Sequence, residues 1–199
     1  MKYTGHIVDV VRRRIFDGAV DVEERVIKSV TPCDGVASDA PYLMPGFIDS
    51  HVHIESSMMV PAEFARVAVE QGTIGVITDP HEIANVLGKE GIDFMIKSGR
   101  QIRFNFCFGA PSCVPSCSED IETSGATLDS KNIAELMARD DIGFLAEMMN
   151  YPGVLAQDKE VMAKISAAIA QGKPVDGHAP GLTLEQRRQY DQAGITTEH

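Results

Sequence analysis

Two histidines, His51 and His53, close the short apolar run in "PGFIDSHVHIESS", residues 45–57. In an extended strand alternate side chains share a face, so both imidazoles point the same way. Two neutral imidazoles a few ångströms apart make half of a divalent-metal site. Polar and ionisable groups recur further on as Thr78-Asp79-Pro80-His81-Glu82, Glu147 with Asn150, Asp176-Gly177-His178 and Glu198-His199. His51, His53, His178 and His199 offer ring nitrogens, and Glu147 offers a carboxylate able to bridge two ions. Two ions ~3.5–4 Å apart that share such a carboxylate make a nucleophile from water at neutral pH and polarise the group it attacks. Asp49, two residues before His51, falls on the same strand face. There it either orients an imidazole or accepts from backbone.

The elements that position these groups follow from hydrophobic rhythm. Apolar strand candidates are 46–52, 74–78, 103–109, 142–146, 174–177 and 194–198. Helical patterns lie between them at 61–71, 89–98, 130–139, 158–171 and 183–193. Strand alternating with helix predicts parallel βαβ units, hence an α/β sheet or barrel. The polar groups then gather at the C-terminal ends of successive strands, where α/β barrels place their active sites. Residues 1–44 read differently. They are Val- and Ile-rich with no helical period, and Asp17-Gly18 is a turn signal between two strand-like runs. The expected organisation is a small β-sandwich segment over 1–44 and a partial (β/α) barrel over 45–199. The stretch "GAPSCVPSCSEDIETSGA" is too long for a simple connection, and long loops are often functional.

Composition excludes several classes. The chain has 199 residues and a formal charge of −11, with Arg12-Arg13-Arg14 its one basic cluster. Nucleic acid and anionic membranes reward clustered Lys and Arg, so neither is an expected partner. No apolar stretch approaches the ~20 residues that span a bilayer. The N-terminus lacks the apolar core of a signal peptide. The cysteines Cys33, Cys107, Cys113 and Cys117 show no CxxC spacing. They read as thiols of a reducing compartment, and the expected location is cytoplasmic.

The motifs "PGFIDSHVHIESSMM", "TDPHEIANVLG", "PSCVPS…ETSGA", "EMMNYPGV" and "VDGHAPGL", in that order, resemble the adenine deaminases of the amidohydrolase superfamily. The first motif alone marks only the superfamily; the second, fourth and fifth are far more specific. The resemblance implies a (β/α)8 TIM-type barrel beside a small β-sandwich. It also implies a binuclear divalent-metal site, commonly manganese or iron with zinc an alternative, that hydrolyses adenine to hypoxanthine and ammonia. Residue by residue, His51 and His53 would hold one ion, Glu147 would bridge, and His178 and His199 would hold the second. Asp79, His81, Glu82 and Glu55 match polar positions around that site, Asp79 and Glu82 as catalytic candidates. Two features depart from the family. Six strands are counted where the barrel needs eight, and the eighth-strand aspartate that serves as general base has no counterpart. The expectation is a truncated form, inactive alone and prone to self-association as a homo-oligomer through open strand edges. The alternatives are another amidohydrolase of cyclic amides or amidines, or a degenerate domain without catalysis.

Overall fold

The computed structural model describes residues 1–116 and 122–198; Cys117 and His199 lie outside that set. It divides into two compact units, Met1–Gly46 and Phe47–His199.

The first unit is one sheet of β1 (Lys2–Asp9), β2 (Arg14–Glu23), β3 (Val26–Pro32) and β4 (Tyr42–Leu43), in the order β3-β2-β1-β4. The expected turn at Asp17-Gly18 is not there, because β2 runs straight through it. Gly18 pairs with Gly5 on one side and Pro32 on the other. A Cβ on Gly18 would come within 2.8 Å of Ile7 Cγ1 and of the Thr31 carbonyl. The glycine therefore admits close neighbours and does not reverse the chain. The reversal comes at 10–13, where the Asp9 carboxylate accepts from the Arg12 backbone N–H at 3.0 Å and from Nη1 at 3.1 Å. The β2–β3 hairpin turns on Glu24 and Arg25, at φ 49° and 65°. Two left-handed residues match the type I′ loop that suits strand twist, here without the usual Asn-Gly.

The second unit alternates strand and helix. It runs β5 (Phe47–Val52), a 3₁₀ turn (Ile54–Ser57), α1 (Pro61–Glu70), β6 (Thr73–Thr78), α2 (His81–Leu87), α3 (Lys89–Gly99) and β7 (Asn105–Pro111). It continues with α4 (Ser130–Met137), β8 (Phe144–Met148), α5 (Tyr151–Leu155), α6 (Lys159–Ala170), β9 (Val175–Gly177), α7 (Leu184–Gln192) and β10 (Thr197–Glu198). Among the described residues the sheet has six strands in the order β10-β9-β8-β7-β6-β5, and every pairing is parallel. Laid flat, β5 and β8 would stand three spacings, ~14 Å, apart. Yet His51 Nε2 lies 2.7 Å from Glu147 Oε1, and His51 Nδ1 lies 3.6 Å from Asp176 Oδ2 on β9. The sheet is curled into part of a (β/α) barrel with these side chains on its concave face. Met148, on the opposite face of β8, joins a buried core with Ile133, Leu136, Val161 and Ile165.

Element boundaries moved for local reasons. The strand expected at 142–146 is Phe144–Met148, which puts Glu147 inside it. The strand expected at 103–109 begins at Asn105, because Ile102 and Phe104 still bond in a turn to Gly99 and Ile102. The one expected at 194–198 is described from Thr197, since Gly194 at φ 101° still belongs to the turn after α7. Helices α2 and α5 were not expected. Both are short, seven and five residues, and too brief to show a period.

Candidate metal centre

His51 is the next-to-last residue of β5 and His53 lies just past its end, so alternation aims both rings into the concave face. Glu147 reaches the same point from β8 and is buried. His51 Nε2 and His53 Nε2 are 3.1 Å apart. Glu147 Oε1 lies 2.7 Å from the first and 2.6 Å from the second. Among the described residues these three form the group of potential ligands whose atoms lie within 4.8 Å of one another. Ligands ~2.0–2.1 Å from a tetrahedral ion stand about 3.4 Å apart. At 2.6–3.1 Å the triangle is slightly tighter than that, the spacing of hydrogen-bonded nitrogens and oxygens.

The other ring nitrogen of His53 fixes its orientation. Nδ1 donates to the Asp79 carbonyl at 3.0 Å and lies 3.4 Å from Glu82 Oε2. A contact of this kind would turn Nε2 toward a bound metal. Hydrogen bonding to Glu147, then to Glu82, pushes the His53 imidazole up to about 11, against its burial. A divalent ion that binds Nε2 must displace that proton. Burial opposes it, but His53 and Ser56 hold the Glu82 carboxyl below the usual carboxylate range. Ser56 Oγ donates to Glu82 Oε1 at 3.0 Å.

The remaining sequence candidates fall around this triangle. Asp79 and His81, both buried, face each other at 3.5 Å (Oδ2 to Nδ1), too far for a hydrogen bond. Neither side chain has a hydrogen-bond partner among the described residues, and complete burial pushes the Asp79 carboxyl up. Glu55 uses Oε1 to accept from the Ile83 N–H at 3.2 Å, satisfying the start of α2, while Oε2 is buried without a partner. Burial raises its carboxyl as well. Asp49 accepts from the His51 backbone N–H at 3.1 Å, the backbone role. Asn150 caps α5, its Oδ1 accepting from Gly153 N–H at 3.0 Å. His178 follows Gly177, whose register partner is Met148, so it stands at the same end of the sheet as Glu147. Its ring is outside the group of three. His199 lies outside the described residues. Asp176, named in the sequence only within the strand-end group Asp176-Gly177-His178 and given no role there, lies 3.6 Å from His51 Nδ1. Its signal was the parity between Asp176 on β9 and His178 just past the strand's end.

The amidohydrolase family model matches residues 42–199. The chain belongs to the amidohydrolase family. Curated relatives of this amidohydrolase chain include the adenine deaminase of Salinibacter ruber, 51% identical over 195 residues and 98% of this chain. That of Methanosarcina mazei is 48% identical over all of it, and that of Borreliella burgdorferi 44%. In the first two the match covers 35% of the relative and in the third 36%, so the chain spans about a third of their length. Among solved structures, zinc-complexed atrazine chlorohydrolase from Arthrobacter aurescens aligns at TM-score 0.62 and 12% identity, over 100% of this chain and 60% of that one. N-isopropylammelide isopropylaminohydrolase from Burkholderia multivorans aligns at 0.55 and 13%, over 100% and 61%. At such identities the likeness concerns fold alone. No helix among the described residues is long and apolar enough to cross a membrane.

Proposed function

We propose that the site serves the hydrolytic deamination of adenine to hypoxanthine and ammonia. The observation that carries this reading is the triangle of His51 Nε2, His53 Nε2 and Glu147 Oε1, on a chain close to curated adenine deaminases over its whole length. Its two imidazoles and one carboxylate fit a divalent ion, and His53 is already turned by the Asp79 carbonyl to receive one. A second ion would share Glu147 and take His178 and His199. Manganese and iron are the favoured metals, with zinc an alternative, since His and carboxylate ligands accept all three. When bound, such ions lower the pKa of water and polarise the ring carbon under attack.

The chain's own residues then orient the base and handle protons. Glu82, within 3.4 Å of His53 Nδ1, is the candidate to take a proton at Oε2. Asp79, pushed up by burial, is the candidate to donate one. Binding the purine through its ring edge falls to the polar groups around them.

The test is ammonia release from adenine by the purified, manganese-loaded protein, with dihydroorotate as the competing substrate. Turnover of adenine supports the reading; turnover of dihydroorotate alone would move the protein to the cyclic-amide amidohydrolases. Absence of both activities and of bound metal would favour a degenerate domain.

A further inference from the structure

The ladder between β8 and β9 is broken at the candidate site. Register runs Leu145 to Val175 and Met148 to Gly177, with an irregularity between. In a regular parallel pair, the N–H of the residue after Gly177 would bond the Met148 carbonyl directly. Here a hydroxyl stands between them. Tyr190 Oη accepts from the His178 N–H at 3.1 Å and donates to the Met148 carbonyl at 2.6 Å. The ring comes from α7, is fully buried, and belongs to the main core. Gly177 makes the room: a Cβ there would lie 2.8 Å from Tyr190 Oη and 2.9 Å from its Cε1. A second hydroxyl, Ser112 Oγ, holds the adjacent Glu147 carbonyl at 2.5 Å.

We infer that Tyr190 is a positioning residue, whose hydroxyl spaces the ends of β8 and β9 so that Glu147 and His178 present their ligand atoms to one centre. The inference rests on the metal reading above. One inserted oxygen replaces a single ladder bond with two, which parts the strands at the position where one carries Glu147 and the other is about to deliver His178. Closing that gap would slide His178 relative to Glu147 by about the length of a hydrogen bond, and metal sites respond to smaller errors.

The experiment compares the unaltered chain with Tyr190→Phe and Gly177→Ala. Manganese affinity is read from the free-ion electron paramagnetic resonance signal, and hydrogen exchange is read at the His178 amide. Tyr190→Phe keeps the ring in the core and removes only the bridge. Its expected result is about tenfold weaker manganese binding, the range of outer-shell losses, a changed bound-ion spectrum, and lost protection of the His178 amide. Gly177→Ala, which displaces the same hydroxyl, should shift both readouts in the same direction. Leu136→Ala, a core truncation on α4, should lower thermal stability and leave manganese affinity unchanged. Manganese binding and His178 protection that survive Tyr190→Phe unaltered would overturn the inference alone. No manganese uptake by the unaltered chain would overturn the metal reading beneath it, and the inference with it.

Discussion

His53 uses its two ring nitrogens for different tasks. Nδ1 is committed to the Asp79 carbonyl, leaving Nε2 to face Glu147. With the imidazole pushed up to about 11 by Glu147 and then Glu82, the ring keeps its proton throughout the neutral range. Metal uptake at pH 8 should therefore release about one proton per ion, and affinity should fall as pH falls. Calorimetry in buffers of differing ionisation enthalpy reads this directly; uptake with no proton release would show that His53 does not carry a proton at Nε2. Glu147→Gln keeps the shape and removes the charge. It is expected to weaken metal binding by more than the ~10–100-fold typical of outer-shell changes, and to lower deaminase activity in parallel. Retention of both would leave Glu147 as a neighbour of the site and no ligand.

At the scale of elements, the site depends on helices that hold the strand ends in place. Helix α7 carries Tyr190 and starts with a reciprocal cap, in which Thr183 accepts from the Gln186 N–H and Gln186 from the Thr183 N–H. Thr183→Ala should cost about 1 kcal/mol, seen as a lower urea midpoint, and loosen the Tyr190 bridge with it. An unchanged midpoint would mean α7 is held by packing alone. Near the other end of β8, Arg139 grips Asp141 through two bonds, Nε at 2.9 Å and Nη2 at 3.1 Å, and reaches Asp93 of α3 at 2.6 Å. Hydrogen bonding to Arg139 holds the Asp141 carboxyl below 3.8, against slight burial. Because the folded value is depressed, the stabilisation is full above the unfolded value and lost as pH falls through the folded one. Asp141→Asn should thus be less stable than the unaltered chain at pH 7, with the gap closing below about pH 4. A gap constant with pH would contradict the pairing. These elements also mark the limits of what sequence discloses. The strand–helix alternation and the polar strand ends were legible because they follow local periodicity. Helix α2 was not, since its first turn is satisfied by Glu55, 28 residues earlier. Nor was the role of Tyr190, whose partner Met148 lies 42 residues away. Asp17-Gly18 misled because a glycine that admits a neighbouring strand reads the same as one that turns the chain.

For the whole molecule, six parallel strands curl far enough to bring His51 of β5 against Glu147 of β8 and Asp176 of β9. The described sheet has edges at β5 and β10. The family membership and the strand-end site were legible in the order of the motifs; the closeness of the triangle was not, because it depends on the curl of the sheet. The central claim is that this triangle holds a divalent ion. Crystals grown with manganese, measured at its absorption edge, test it most directly. The account predicts an anomalous peak bonded to His51 Nε2, His53 Nε2 and a Glu147 carboxylate oxygen. An anomalous map with no peak there, from crystals in which these three side chains are ordered, would contradict it.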